Sequence, residues 1–225
     1  MFSNVYQLEP TGDTFYNFIF QKLKAIDVII ICEGKIDKKV VKKIMSISGI
    51  STNIRVGIID AGGIDLAYDI AAIIAFLANI ARKLKAIGVL IDAERSTVDE
   101  RVKSLLDSLR SHGVRINTPP QAEGQTYKVT IETVRGRAIN LVIAVSGDFS
   151  LPFNAHKLED HGVRLLLMEG SINEEKVKDA EDAKEIISEE RLLELLERSH
   201  IDNIKSAFRH IYTMLKMLGI LSASS

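Results

Sequence analysis

The sequence DVIIICEGKID, residues 27–37, decides the fold of this chain. Most of its first six residues are β-branched and apolar, and an acid, Glu33, follows them directly. A strand that is apolar on both faces is typical of the interior of a parallel sheet. A second run, AIGVLIDAE at residues 86–94, also ends in acids, Asp92 and Glu94. The two runs therefore predict parallel strands whose carboxyl ends are acidic.

Alternating strand and helix patterns surround these two runs. The predicted strands are 27–33, 54–60 and 86–92, and the predicted helices are 36–47, 64–85 and one that begins at Ser96 or Thr97. A β-α-β-α-β-α order implies a parallel sheet with right-handed crossovers. Before the first strand, the apolar spacing of residues 11–24 predicts a further helix.

The second half of the chain has a different character. Residues 125–134 and 137–146 alternate apolar and polar side chains around Arg135-Gly136, which predicts a β-hairpin at the edge of the sheet. From about residue 173 to 218 the pattern is helical. We therefore expect an α/β fold, a parallel sheet flanked by helices. Its predicted parts are an N-terminal helical segment (1–24), an α/β core (25–150) and a mainly helical C-terminal extension packed on that core (151–225).

Composition excludes several classes of site. The chain is 46% hydrophobic and 26% charged with a net charge of −1, so nucleic-acid binding would depend on a local basic patch rather than on bulk charge. The single cysteine, Cys32, lies in an apolar run and predicts a buried, unreactive thiol. One thiol cannot build a disulfide within the chain or a cysteine metal site. The sequence has no P-loop and no GxGxxG motif.

Hydropathy gives an expectation about localisation. The first 13 residues lack a basic segment followed by an apolar core, as a signal peptide would have. The most apolar stretch, residues 70–81, is shorter than the roughly 20 residues that a membrane-spanning helix needs. We expect a cytoplasmic protein without a membrane segment.

The acids at the predicted strand ends indicate a divalent-metal site. Ligands of α/β proteins bind beyond the carboxyl ends of parallel strands, where Glu33, Asp92 and Glu94 are expected. Asp92 and Glu94 point to the same side if the extended geometry continues. Carboxylate oxygens suit Mg²⁺ or Mn²⁺, and such ions activate water for phosphodiester hydrolysis. The alternative is that these acids are simply the polar ends of strands.

Three motifs, taken in order, resemble the Toprim domain that topoisomerases, primases and the overcoming-lysogenization-defect nucleases share. They are Cys32-Glu33-Gly34-Lys35-Ile36-Asp37, Ala61-Gly62-Gly63 and Ile91-Asp92-Ala93-Glu94. The resemblance covers roughly residues 25–112, about half of the chain. It extends to an uncharacterised archaeal and bacterial group of Toprim-like proteins related to those nucleases.

This resemblance implies roles for individual residues. Glu33 matches the Toprim glutamate, which is a metal ligand or a general acid or base. Asp92 and Glu94 match the Asp-x-Asp pair that holds Mg²⁺, and the glutamate at the second position departs from the family pattern. The glycines expected to let the backbone approach the cofactor are Gly34, Gly62 and Gly63.

Further residues extend the implied site. Asp37 matches a second acid of the nuclease branch; the alternative is a helix N-terminal acid favoured by the helix dipole. Glu159 and Asp160 match a Leu-Glu-Asp sequence of the related group and would complete a second metal site; the alternative is an exposed helix start. Lys35 is expected to contact a phosphate and Lys205, like the late lysine of those nucleases, to stabilise phosphate charge. The alternative for both lysines is a solvated side chain.

Three functions follow as hypotheses. The first is a phosphodiester hydrolase that depends on Mg²⁺ or Mn²⁺ and acts on DNA or RNA. The second is a non-catalytic Toprim-fold module that binds nucleic acid, a nucleotide or a partner chain. The third is a nucleotide-binding α/β domain with acidic loops. Apolar residues of the last helix, among them Phe208 and Leu215, indicate either core or the seam of a homodimer.

Overall fold

A computed structural model describes residues 5–8, 23–51, 53–133 and 135–221. Within these residues eight strands form one mixed sheet. They are β1 (Val5–Leu8), β2 (Val28–Cys32), β3 (Val56–Asp60), β4 (Ala86–Asp92), β5 (Arg115–Ile116), β6 (Gln121–Glu123), β7 (Thr126–Glu132) and β8 (Ala138–Ser146). The helices of the same ranges are α1 (Lys35–Ser48), α2 (Ile64–Leu77), α3 (Val98–Ser111), α4 (Leu158–Met168), α5 (Glu174–Lys178), α6 (Glu189–Arg198), α7 (Ile201–Ala207) and α8 (Arg209–Met217).

The sheet is mostly parallel. Its order is β1-β3-β2-β4-β8-β7-β5, and β6 also pairs with β7. Neighbouring strands pair in parallel from β1 through β3, β2 and β4 to β8. Strand β7 is antiparallel to β8, β5 and β6. The expectation of an α/β fold with a parallel sheet flanked by helices is therefore confirmed at this level.

The predicted hairpin lies further inside the sheet than expected. Its two strands, β7 and β8, do pair around Arg135-Gly136, but β8 also pairs in parallel with β4 from Ala86↔Asn140 to Asp92↔Ser146. The edge position was wrong for β8 because residues 141–146 are all buried, which suits a central strand.

The predicted N-terminal helical segment, residues 1–24, also contains the strand β1. Most of the helix predicted for 11–24 lies outside the described residues, and Leu23–Ala25 form a short 3₁₀ helix. Another helix prediction differs from the structure in its length. Helix α2 ends at Leu77 rather than at residue 85. The guanidinium of Arg137 donates hydrogen bonds to the carbonyls of Ala81 (2.8 Å) and Arg82 (2.9 Å), which holds the following turns in place.

Each face of the sheet has its own core. Helices α2 and α3 cover one face, where Ile29, Ile31 and Ile91 are buried. Helix α1 and the helices from α4 onward cover the other face, where Ile30 and Cys32 are buried. Cys32 is a fully buried free thiol, and burial raises its pKa well above the ordinary value, in agreement with the predicted inert thiol.

The apolar residues of the last helix belong to the second of these cores. Phe208, Ile211, Met214 and Leu215 are buried and pack with residues of α1 and α4. The core alternative is therefore confirmed for these residues, and they do not form an exposed seam. In the described part of the chain, the structure contains no helix with the length and apolarity that crossing a membrane requires.

Candidate metal site at the carboxyl edge of the sheet

The parallel register brings several strand ends to one edge of the sheet. Cys32 pairs with Leu90 on one side and with Asp60 on the other. Glu33, which follows β2, therefore lies beside the last residues of β3 and β4. This is the edge at which parallel α/β sheets bind their ligands.

Glu33 is held at this edge by the main chain on both sides. Its N–H donates to the carbonyl of Leu90 (3.0 Å), and its carboxylate Oε2 accepts from the N–H of Asp92 (3.0 Å). Its carbonyl accepts from the N–H groups of Gly62 (3.0 Å) and Gly63 (2.9 Å). These glycines have φ values of 82° and 141°, which favour a residue without a Cβ. The glycine turn thus positions the backbone of Glu33.

Asp37 lies in the first turn of α1, as both interpretations of this residue require. Its Oδ2 accepts from the N–H of Gly34 (3.0 Å). Its Oδ1 is buried and has no hydrogen-bond partner among the described residues, and the residue is only 3% exposed. Burial raises the pKa of Asp37 to about 7, and the charges of Glu33 and Glu159 add to the effect.

Asp92 links the end of β4 to the start of α4. Its Oδ1 accepts a hydrogen bond of 3.0 Å from the N–H of Leu158. Burial raises the pKa of Asp92 well above its ordinary value, and the charges of Asp37, Glu33 and Glu159 raise it further. Asp92 is therefore within electrostatic range of these three acids.

The start of α4 is buried, so the alternative of an exposed helix start was wrong for Glu159 and Asp160. Glu159 is 2% exposed and its Oε1 lies 3.3 Å from the Nζ of Lys184. Asp160 is fully buried, and its Oδ2 accepts from the N–H of Asp148 (3.0 Å) and contacts Nδ1 of His156 (2.9 Å). Burial raises the pKa of Asp160 to about 6. Asp160 therefore belongs to a network with His156, whereas Glu159 pairs with Lys184 and its charge raises the pKa values of Asp37 and Asp92.

We call Glu33, Asp37, Asp92 and Glu159 the carboxylate cluster. The charges of Glu33 and Glu159 raise the pKa values of Asp37 and Asp92, and the charge of Asp37 also raises that of Asp92. The pKa of Glu33 is itself raised, first by burial and then by the charge of Glu94. The structure thus brings together four of the six predicted metal ligands.

Glu94 does not point the same way as Asp92, so that expectation was wrong. The extended geometry stops after β4, since Glu94 adopts the left-handed region with φ 52°. Its backbone exchanges hydrogen bonds with His156 (2.7 and 2.8 Å). Its half-exposed side chain accepts from the Nη2 of Arg101 on α3 (3.1 Å). Glu94 therefore acts on the cluster by its charge and is turned toward α3.

The two predicted lysines lie in different places. Lys35 is exposed at the first residue of α1, next to Gly34. Lys205 lies on α7 with its Nζ 5.9 Å from the ring centroid of Tyr212, whose hydroxyl bonds to Ser48. Ser48 ends α1, about 16 Å along the helix from Asp37 at 1.5 Å per residue. The structure therefore does not bring Lys205 to the carboxylate cluster.

Sequence reasoning missed an ion pair beside the cluster. The Nζ of Lys38 lies 3.3 Å from Oδ2 of Asp60, and the two side chains are 11% and 8% exposed. Asp60 ends an apolar strand as Asp92 does, which was a usable signal. Lys38 was less visible, because α1 also carries Lys35, Lys39, Lys42 and Lys43.

Three of the eight carboxylate oxygens in the cluster accept from main-chain N–H groups. Across the described ranges the structure gathers no three His, Cys, Asp or Glu side chains in an arrangement that holds a metal ion. Donors to Glu33, Asp37 and Asp92 occupy one oxygen of each carboxylate. The orphaned Oδ1 of Asp37 and the mutual repulsion of the acids nevertheless fit a divalent cation, which prefers hard oxygen ligands. Asp37, Glu33, Asp92 and Glu159 are the residues that would hold it.

Comparisons with known proteins identify a family but no activity. A family model described as "Protein of unknown function (DUF3226)" matches residues 27–217. No curated protein matches the chain. Among solved structures, the chain is similar to hypothetical protein SA1046 from S. aureus, with 12% identity over 53% of this chain and 92% of that one. The TM-score of 0.21 is too low to support a conclusion about fold or function.

Proposed function

We propose that this chain, which belongs to the DUF3226 family, is a Toprim-like phosphodiester hydrolase that uses Mg²⁺ or Mn²⁺ and acts on DNA or RNA. The observation that supports the proposal is the carboxylate cluster. Burial raises the pKa values of Glu33, Asp37 and Asp92, and the charges of Glu33 and Glu159 raise those of Asp37 and Asp92 further. A divalent cation removes that penalty, so the cluster is suited to bind one.

The proposed chemistry assigns separate tasks to the cluster. A bound divalent cation lowers the pKa of a water molecule and stabilises charge on the phosphate. Asp37, Asp92 and Glu159 are the ligands in this proposal. Glu33, tied to the N–H of Asp92, is placed to hold the ion or to exchange a proton with the attacking water.

Lysines near the cluster support a polyanionic substrate. Lys35 is exposed at the start of α1, one residue after Gly34. The charge of Lys157 acts on Glu33, since it lowers the pKa of that carboxyl. Lysine ammonium groups are suited to contact the phosphates that flank a scissile bond.

The proposal is tested by activity and metal binding together. The wild-type protein is incubated with single-stranded and double-stranded DNA and with RNA in Mn²⁺ or Mg²⁺, and Mn²⁺ binding is measured by calorimetry. We expect Glu33→Gln and Asp92→Asn to lose cleavage by about 100-fold or more. The control is Asp107→Asn, an exposed acid on α3 that pairs with Arg110. Cleavage that survives in both cluster variants refutes the hydrolase.

A second function, a non-catalytic module that binds nucleic acid or a nucleotide, is favoured by the position of Glu94. Arg101 donates a hydrogen bond of 3.1 Å to the Glu94 carboxylate, and one carboxylate oxygen of Asp92 accepts from the N–H of Leu158. Both contacts reduce the number of oxygens available to a metal ion. Fluorescence anisotropy with labelled DNA and RNA separates the two functions: this alternative requires binding without cleavage, unchanged in Glu33→Gln.

A further inference from the structure

One side of helix α2 is apolar and exposed to solvent. Among the described residues six large hydrophobic side chains are exposed, and four of these lie on α2 or in the turn that follows it. They are Leu66 (52% exposed), Ile73 (44%), Phe76 (57%) and Ile80 (51%). We call these four side chains the α2 face. A contiguous apolar patch of this kind marks a surface that binds a partner.

The spacing of the α2 face is that of a helix that packs along another helix. Leu66, Ile73 and Ile80 recur every seven residues, and Phe76 follows Ile73 by three. Side chains at these intervals form one stripe, as the a and d positions of paired helices do. Ala71, two residues before Ile73 and so on the opposite side of the helix, is fully buried in the core. The stripe therefore points away from the sheet.

The composition of α2 is also that of a helix covered on more than one side. Only two of its fourteen residues, Asp65 and Asp69, are charged. A helix that is apolar almost all round is typically buried, whereas a surface helix carries a broad polar face. Burial against the sheet accounts for one side of α2 and leaves the α2 face without a cover among the described residues.

The two ends of the α2 face carry opposite charges. Asp65 and Asp69 are exposed in the first half of α2, and Arg82 and Lys83 are exposed just beyond its end. The ion pairs of the described residues include none of these four side chains. The α2 face is thus negative at one end and positive at the other.

We propose that the α2 face binds a second copy of this chain, in a symmetric dimer in which the two α2 helices pack antiparallel with Ile73 near the two-fold axis. A two-fold axis pairs one patch with itself, so the patch must be complementary to itself. In the antiparallel arrangement, the acids of one chain lie against Arg82 and Lys83 of the other. A parallel arrangement would instead place Asp69 of one chain beside the same acid of the other, which repels.

This arrangement separates the two candidate metal sites of the dimer. Helix α2 begins directly after Gly63, in the turn that positions Glu33. Fourteen residues at 1.5 Å per residue make α2 about 21 Å long. Antiparallel helices place the two carboxylate clusters at opposite ends of the pair. The dimer therefore does not depend on whether the cluster binds a metal.

The first test measures the mass of the full chain in EDTA by light scattering and sedimentation equilibrium. We expect the wild type to be a dimer. Ile73→Lys should raise the dissociation constant about 100-fold or more, because it buries two like charges near the axis. The side chain is exposed in a single chain, so the variant should fold. The control is Met168→Lys on α4, which changes an exposed apolar residue outside the α2 face and should remain a dimer.

Charge reversal tests the antiparallel arrangement. The double variants Asp65→Lys/Asp69→Lys and Arg82→Glu/Lys83→Glu should each weaken the dimer about tenfold or more, because like charges then meet. The variant that combines all four changes exchanges the two ends of the α2 face. It should therefore regain the wild-type dissociation constant, which a parallel pair would not do.

The outcomes that contradict the proposal are distinct. A wild type that is a monomer at about 100 μM, where a micromolar dissociation constant gives mostly dimer, overturns it. A large loss of stability in Ile73→Lys, seen by urea unfolding, would then show that the same chain covers the α2 face. A dimer that persists in Ile73→Lys also overturns the proposal, since the interface lies elsewhere. A fourfold variant that remains weak overturns the antiparallel pairing.

Discussion

The main-chain N–H of Asp92 donates a hydrogen bond of 3.0 Å to Oε2 of Glu33, so the acid that follows β2 is tied to the acid that ends β4. The same kind of contact recurs where Gly34 donates to Asp37 and Leu158 donates to Asp92. Backbone donors orient the carboxylates but carry no full charge. Burial and mutual repulsion therefore favour the protonated carboxyls of Asp37 and Asp92 in the metal-free protein, and three predictions follow from these acids and their neighbours.

The metal-free protein should lose stability as the pH rises toward 8. The folded-state pKa of Asp37 is about 7, above the value of about 3.9 in an unfolded chain. A carboxyl with a raised pKa binds its proton more tightly in the folded state, so its contribution to stability is complete below pH 4 and is lost as the pH passes 7. Asp160, with a pKa of about 6, contributes in the same direction.

Urea unfolding between pH 4 and 8, in EDTA, tests this dependence. Asp37→Asn cannot ionise and keeps an oxygen for the N–H of Gly34. Its unfolding free energy, relative to the wild type, should rise by up to about 4 kcal/mol between pH 4 and pH 8. Asp107→Asn, an exposed control, should follow the wild-type curve. Parallel curves for Asp37→Asn and the wild type would show that Asp37 does not titrate as its burial implies.

Removing the charge of Arg101 should strengthen metal binding. Arg101 donates to Glu94 Oε2 (3.1 Å) and to the carbonyl of Ala93 (3.0 Å), and its charge also lowers the pKa of Glu33. In Arg101→Gln the cluster gains negative potential and Glu94 is released. We expect Mn²⁺ affinity, measured by calorimetry, to rise about threefold to tenfold.

Arg110 provides the matched control on the same helix. It pairs with Asp107 at 2.6 Å, and both side chains are about half exposed. Arg110→Gln should leave Mn²⁺ affinity unchanged, because exposed charges are screened by solvent. Weaker Mn²⁺ binding in Arg101→Gln alone would mean instead that Arg101 orders Glu94 for the metal.

The buried pair of Lys38 and Asp60 should be strongly coupled. The two side chains are nearly inaccessible and 3.3 Å apart. Lys38→Met leaves a buried carboxylate without a counter-charge, which costs about 3–5 kcal/mol of unfolding free energy. The double variant Lys38→Met/Asp60→Asn should recover most of that loss. Urea unfolding of the four proteins of this cycle measures the coupling, and additive effects of the two changes would contradict it.

Much of the fold was predictable because it follows from the local spacing of apolar residues. The apolar runs ending at Glu33, Asp60 and Asp92 placed β2, β3 and β4. Of the two predicted helix starts, Ser96 and Thr97, the structure has Thr97 as the N-cap of α3. The run LVIAV at residues 141–145 was a usable signal that β8 is a central strand, because it is apolar at every position. That β4 is its neighbour was not predictable in this way, because the pairing joins segments far apart in the chain.

The candidate site also has a part that local sequence patterns predicted and a part that they did not. Glu33 and Asp92 were predictable, since parallel strands place their carboxyl ends at one edge of the sheet. The turn of Glu94 toward Arg101 was not, because one φ angle of 52° ended the alternation that was expected to continue. The position of Lys205 depends on how α7 packs near Tyr212, a contact between distant helices.

The sequence by itself determined the parallel α/β core and the acids at the ends of its central strands, because hydrophobic periodicity and strand direction are local properties. Only the tertiary structure decided that Glu159 joins Asp37 and Asp92 in the carboxylate cluster while Glu94 turns away. It alone also left the α2 face exposed. Those arrangements depend on helix packing and on the exclusion of water between segments far apart in the chain, which no short stretch of residues encodes.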